Sequence, residues 1–211
     1  MTKLQKALLV ILPLLVADQA LKIWIKTHMM LGEDFSVFGN WFLIHFVENN
    51  GMALGLEFGG GAFGKIFLSL FRIVAVAAIG WYLVRLSRRE DIPAGFVICV
   101  ALIFTGAVGN IIDSAFYGLI FTESWGQIAT IFPEQGYASF LHGKVVDMLY
   151  FPLIEGHYPA WFPLIGGDEF LFFRPVFNIA DSCITVGILS IICFYWTTFS
   201  KLEFTKSEKT N

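Results

Sequence analysis

Four aspartates stand where an apolar chain has least reason to place them. Asp18 lies inside ALLVILPLLVADQALKIWI and Asp113 closes ICVALIFTGAVGNIID. Asp147 is flanked by Val145, Val146, Met148 and Leu149, and Asp181 follows Val176-Phe177-Asn178-Ile179-Ala180. Asn49, Asn110 and Asn178 keep them company, and Lys22 is four residues beyond Asp18, hence on the same face of a helix. An ionisable group within an apolar segment is costly and by default marks function. Two carboxyl groups brought close cannot both ionise, so they share one proton. The ionised member can then take a proton from water while the protonated one donates, which is the chemistry of hydrolysis. A plainer reading stands beside this one. Asp and Asn cap helices, and Asn178 is well placed to cap a helix after it. Asp18 with Lys22 also reads as an internal ion pair that only holds the chain together.

Other chemistries have little support. Cys99, Cys183 and Cys193 all lie in apolar segments, so they read as buried residues and not as a disulfide framework. Cys183, two residues past Asp181, has no histidine to activate it. No Gly-x-Ser-x-Gly occurs, so a serine mechanism lacks a nucleophile. His28, His45, His142 and His157 show no ligand spacing, and neither His-Glu-x-x-His nor Cys-x-x-Cys is present. The expectation is a reaction with no metal and no cofactor.

The elements that must carry these residues follow from composition. Of 211 residues, 56% are hydrophobic and 15% charged, against about a quarter charged in soluble domains. The 23 Phe and 6 Trp suit lipid and its interface. The net charge of −3, with no basic patch, argues against a nucleic-acid partner. A spanning helix needs about 20 apolar residues, and four stretches qualify, at about 7–25, 66–86, 92–112 and 176–199. The fold class expected is an all-α membrane protein. It is a four-helix bundle and a single integral domain over 1–211, with a small β-rich extracytoplasmic subdomain around the strand-like Trp41–Val47. The outer loops should cover about 27–65 and 114–175. Lys3, Lys6, Arg85, Arg88, Arg89, Lys201, Lys206 and Lys209 gather in short segments on one side. That asymmetry predicts cytoplasmic termini.

Helical rise then places the aspartates in one layer. Asp113 lies roughly 33 Å past Asp91, and Asp181 roughly 30 Å before Lys201, so both reach the outer surface. Arg72, on span two, lies at a depth close to that of Asp18. It is expected to face the bundle and pair with Asp18 or Asp113, the alternative being a lipid-facing arginine that snorkels to the headgroups.

In this order the residues resemble the signal peptidase II family. The motifs are Asp18-Gln19-x-x-Lys22, Asn49-Asn50-Gly51-Met52-Ala53-Leu54-Gly55, Gly109-Asn110-Ile111-Ile112-Asp113, Val145-Val146-Asp147 and Phe177-Asn178-Ile179-Ala180-Asp181. Each alone is weak; five in sequence, on the expected spans, are specific. The resemblance implies an aspartyl endopeptidase of the bacterial inner membrane. It would remove the signal peptide of diacylglyceryl-modified prolipoproteins, cutting before the lipidated cysteine. It makes Asp147 and Asp181 the catalytic pair, with Asp18, Lys22, Asn49, Gly51, Asn110, Asp113 and Asn178 supporting the site or holding substrate. The partners expected are the lipidated prolipoprotein and membrane lipids, with the protein a monomer. Two departures stand out. Ser114 occupies a position where the family commonly has Arg, a charge that Arg72 would then supply. The intervals 119–142 and 148–180 are longer than usual. The competing reading is a proton-coupled membrane carrier, but such carriers tend to show internal repeats and midplane sites, and no repeat is visible here.

Overall fold

The computed structural model describes residues 1–49, 61–152, 154–157, 167, 169–172 and 175–207. Helix α1 (Lys3–His28) starts at a capping box, in which the Thr2 side chain accepts from Gln5 N and the Gln5 side chain accepts from Thr2 N. Its 26 residues span roughly 39 Å, enough to cross a bilayer. Leu8, Leu9, Leu12 and Val16 are exposed on one side, as lipid-facing residues should be. The opposite stripe, Ala7, Ile11, Asp18, Lys22, Ile25 and Lys26, is buried.

Helices α2 (Gly61–Ser87) and α3 (Ala94–Ile112) form a hairpin. Lys3 Nζ donates to the carbonyls of Arg89 and Ile92 at 2.6 Å each, which brings the N-terminus to the hairpin link. A core of Ala7, Ile11, Leu83, Leu86, Ile92 and Phe96 fills this end of the bundle.

The third span does not stop at residue 112. It runs on through a π-helical turn, Asp113–Tyr117, and a short helix α4, Gly118–Ile120. Hydropathy assigned the residues after 113 to a loop, because the polar Asp113 and Ser114 interrupt the apolar run. What prolongs the helix is the segment after it. Amides of Gly143, Leu141, Ala138 and Phe132 donate to the carbonyls of Ser114, Ala115, Gly118 and Ile120 at 2.7–3.3 Å. These are carbonyls that a helix end otherwise leaves unpaired. Gly143 permits the approach: a Cβ there would lie 2.2 Å from the Asp113 carbonyl oxygen.

A four-stranded antiparallel sheet stands at this end, in the order β1-β2-β3-β6, from β1 (Asp34–Phe38), β2 (Phe42–Asn49), β3 (Val145–Tyr150) and β6 (Val176–Phe177). Strands β4 (Ile154–His157) and β5 (Glu169–Phe172) pair separately. The strand expected at Trp41–Val47 corresponds to β2.

The fourth span departs from the single helix read over 176–199. Residues 176 and 177 belong to the sheet, α5 covers Ile179–Phe194, and α6 (Trp196–Ser207) leaves it. The axes of Ile179–Phe194 and Trp196–Leu202 meet at 89°. Sixteen residues give roughly 24 Å, short of the ~30 Å hydrocarbon core. The break has a packing cause. Tyr195 leaves the helical region (φ −129°, ψ 17°) and lies over Gly95, where a Cβ would meet its hydroxyl at 1.9 Å. It also meets Phe96 edge-on. Tyr195, Phe199 and Leu202 then close the hydrophobic core at this end. Among the described residues, three helices are long and apolar enough to span a membrane, and the bent pair makes a fourth if it is one span.

Helices α3 and α5 touch backbone to side chain through glycine, as small residues allow in membrane bundles. A Cβ on Gly106 would lie 2.1 Å from the Ala180 carbonyl oxygen. Gly106→Ala should therefore push the start of α5 away and destabilise the protein by about 1–3 kcal/mol. Thermal unfolding in detergent checks this; an unchanged melting temperature would show that the contact yields freely.

Candidate active site

The site is built from the inner end of the sheet and three helix ends. Lys22, fully buried, is its central cation. Its Nζ lies 2.9 Å from Asp18 Oδ2 and 2.8 Å from Asp113 Oδ2 and donates to Asn110 Oδ1 at 3.1 Å. All three ammonium hydrogens thus have acceptors, which a buried lysine requires. Gln19 Nε2 donates to Asp18, to Asp113 and to the Gly109 carbonyl at 3.0–3.2 Å. Tyr117, in the π-helical turn, donates to Gln19 Oε1 at 3.1 Å. Gly109 leaves room for this, since a Cβ there would lie 2.8 Å from Asp18 Oδ2.

The start of α5 locks onto that base. Asp18 Oδ1 accepts from Ala180 N at 2.9 Å. Asn178 is the N-cap, its Oδ1 accepting from Asp181 N at 2.8 Å, and Asp181 completes a capping box back to Asn178 N. The capping role open in the sequence is therefore real, and it is combined with a second one. Asn178 Nδ2 points to Asp147 Oδ1 at 2.7 Å, the Val146 carbonyl at 3.2 Å and Asn110 Oδ1 at 3.1 Å. Asn110 Nδ2 in turn donates to Asp181 Oδ1 at 2.8 Å. Asp147, on β3, takes its other hydrogen bond from Asn49 Nδ2 at 2.8 Å. Burial, reinforced by the neighbouring Asp181 carboxylate, pushes the Asp147 carboxyl up to about 7.

The structure thus gathers Asp18, Lys22, Asn49, Asn110, Asp113, Asp147, Asn178 and Asp181 into one hydrogen-bonded assembly. Gly51 lies outside the described residues. Arg72 faces the bundle, where its Nη1 reaches the Ser114 hydroxyl at 3.3 Å, and that hydroxyl donates to the Asn110 carbonyl. Lys22 bridges Asp18 and Asp113, and the Arg72 guanidinium is attracted by the Asp181 and Asp113 carboxylates. Several polar residues escaped the sequence reading. Tyr117 looked like a loop residue. Lys26 lies just past the span expected at 7–25, although its four-residue step from Lys22 puts it on the same buried face of α1.

A family model described as signal peptidase (SPase) II matches residues 10–197. The chain belongs to the signal peptidase II family. A lipoprotein signal peptidase of Porphyromonas gingivalis is 53% identical over 201 residues, 95% of this chain and 86% of the relative. One of Amoebophilus asiaticus is 35% identical over 179 residues, 84% of this chain and 72% of the relative. Two solved structures share the fold, both described as bacterial membrane enzyme structures obtained by the in meso method, at 2.3 and 1.9 Å resolution. The first has a TM-score of 0.61 at 24% identity and covers 95% of each chain. The second has 0.57 at 25% identity and covers 89% of this chain and 90% of its own. Signal peptidase II membership makes the protein a multi-pass membrane hydrolase of the aspartic-protease type, with lipoprotein processing as its function.

Within this cluster of the signal peptidase II chain, Lys22 partly neutralises the buried Asp18 and Asp113 carboxylates. Lys22→Met would leave Asp18 and Asp113 buried without the ammonium that bridges them, a change that costs on the order of 3–5 kcal/mol. A large drop in thermal stability in detergent is expected, and a wild-type melting curve would show that the two carboxylates do not depend on Lys22.

Proposed function

We propose that the protein is a membrane-embedded aspartyl endopeptidase that removes the signal peptide from diacylglyceryl-modified bacterial prolipoproteins, cutting before the lipidated cysteine. One observation carries the reading: Asn178 joins Asp147 and Asp181, accepting from the backbone of one and donating to the side chain of the other. Asp147 and Asp181 form the catalytic dyad, and Asp18, Lys22, Asn49, Asn110, Asp113, Asn178 and Arg72 support it. Gly51 is proposed as a further substrate-side residue on the strength of its motif alone.

The chemistry follows from one proton held between two carboxyls. Asp147, raised by burial and by Asp181, keeps that proton near neutral pH. The ionised partner takes a proton from water, which attacks the scissile carbonyl. The protonated member supports the developing oxyanion, and a proton then passes to the leaving amine. Asn49, Asn110 and Asn178 hold both groups in place by neutral hydrogen bonds. The basic termini and hairpin link favour a cytoplasmic location, which puts the sheet and the dyad at the outer face. There water reaches the carboxyls while the acyl chains of the substrate stay in lipid. The protein acts as a monomer, with lipidated precursor and membrane lipids as its partners.

Purified protein in detergent should cleave a diacylglyceryl-modified precursor and act poorly on the unlipidated one. Asp147→Asn and Asp181→Asn should each lower turnover by at least a thousandfold, roughly the loss expected when one member of a cooperating catalytic set is removed. Near-normal turnover in either variant sinks the dyad. Equal rates on the two precursors would show that the acyl chains are not read.

The pH profile supplies a separate check. A carboxyl that must stay protonated loses its role as pH rises through its raised value, so the alkaline limb should fall near pH 7. Activity should also decline in acid, because the pair works with one shared proton and not two. A flat profile from acid to alkali would count against a shared proton.

A further inference from the structure

A second buried polar cluster lies on the far side of the sheet from Asp147. Lys26 of α1, fully buried, forms an ion pair with Glu48 of β2, whose side chain is 2% exposed. Ser124, also fully buried, accepts from Lys26 Nζ and donates to Glu48 Oε1, both at 2.9 Å. Lys144 Nζ stands 3.3 Å from Glu48 Oε2 and 2.7 Å from Glu123 Oε1. The Phe121 and Tyr137 rings lie 5.3 and 5.1 Å from Lys26 Nζ, close enough for cation–π attraction. Backbone joins in, since Ala129 N donates to the Lys26 carbonyl at 3.1 Å. Burial alone would push the Glu48 carboxyl up, but the Lys26 charge and the bonds from Lys26 and Ser124 outweigh it and hold it below the ordinary carboxylate range.

This cluster ties three parts of the chain together: the end of α1, strand β2, and the segment 121–144 that wraps the end of the third span. None of its members touches the dyad. Strand geometry nevertheless couples it to the dyad. Glu48 pairs with Val146 and Asn49 with Val145, while Val47 faces Asp147. Successive side chains of a strand point to opposite faces, so Glu48 is drawn to one side and the adjacent Asn49 is turned to the other, where it donates to Asp147.

We infer that Glu48 is a positioning residue, clamped by Lys26, Ser124 and Lys144, which sets the register and height of β2 so that Asn49 meets Asp147. The inference rests on Asp147 belonging to the dyad. It also gives the segment 121–144 a role, as the wall against which the clamp closes. The charged groups that face Asp147 are Asp181 and Lys22; those that face Glu48 are Lys26 and Lys144, with Glu123 beyond.

The test is the pH dependence of turnover for the full-length protein in detergent, with lipidated precursor. Asn49 donates to Asp147 and so favours its ionised form. In Glu48→Gln that bond loosens, and the alkaline limb should move upward while turnover falls on the order of tenfold to a hundredfold with KM little changed. Loss of the Glu48 charge acting through space would move the limb downward, so the sign separates positioning from simple electrostatics. Asn49→Ala should show the same upward shift, and the Asn49→Ala/Glu48→Gln pair should add little to it. Should Glu48→Gln fail to fold, Ser124→Ala, which leaves every charge in place, should give a smaller shift of the same sign. A wild-type profile in Glu48→Gln or in Ser124→Ala, a downward limb, or effects that add to those of Asn49→Ala overturns the clamp. Loss of turnover in Asp147→Asn beside an unaltered Glu48→Gln overturns the clamp and leaves the dyad standing; retained turnover in Asp147→Asn overturns both.

Discussion

A lysine ammonium buried between two carboxylates is the constraint from which the rest of the site follows. Lys22, Asp18 and Asp113 are removed from water, and each would be prohibitively costly alone. Together they hold a net charge of one, and Gln19, Asn110 and the amides of Ala180 and Val146 occupy the remaining lone pairs. Every one of those partners comes from a different stretch of chain. Spans one and three and the start of α5 must therefore assemble together before the ions can be buried.

The catalytic proposal is a second layer laid on that base. Lys22 meets Asn110, Asn110 meets Asp181, and Asn178 joins both to Asp147. Among the described residues, the side chains that hydrogen-bond these carboxyls are the amides of Asn49, Asn110 and Asn178. Amide donors favour the ionised carboxylate less strongly than a lysine in direct contact would, so burial and the neighbouring Asp181 carboxylate still raise the Asp147 carboxyl.

The π-helical turn and the segment that covers it are parts of one device. The turn carries Ser114 and Tyr117 into the bundle beside Asp113. Amides of residues 132–143 donate to carbonyls of this turn and of the short helix after it. The same segment closes the Lys26–Glu48 clamp on the other face of the sheet. An interval that hydropathy treats as loop is thus bonded to the protein at both of its functional layers.

Much of this was legible in the residues alone. Apolar runs of spanning length, broken by Asp18, Asp113 and Asp181, announce both the helices and the layer where they meet, because lipid tolerates so few reasons for such residues. Five ordered motifs were enough to assign the family. The partner of each charge could not be read, since pairing depends on which way a side chain leaves its helix. Lys22 bridges Asp18 and Asp113, a geometry that spacing along one helix does not reveal, and Lys26, just past the span expected at 7–25, is buried against Glu48 of a separate strand. The ends of spans three and four were also beyond a hydropathy reading. One helix is prolonged by hydrogen bonds from residues 12 to 29 positions later, and the other is broken where Tyr195 settles over Gly95. Sequence by itself determined which segments enter the membrane and which groups must be gathered there, because hydropathy and residue chemistry are local properties. Only the tertiary structure decided which group faces which, because hydrogen bonds and ion pairs are set by distances between segments that the chain order does not contain.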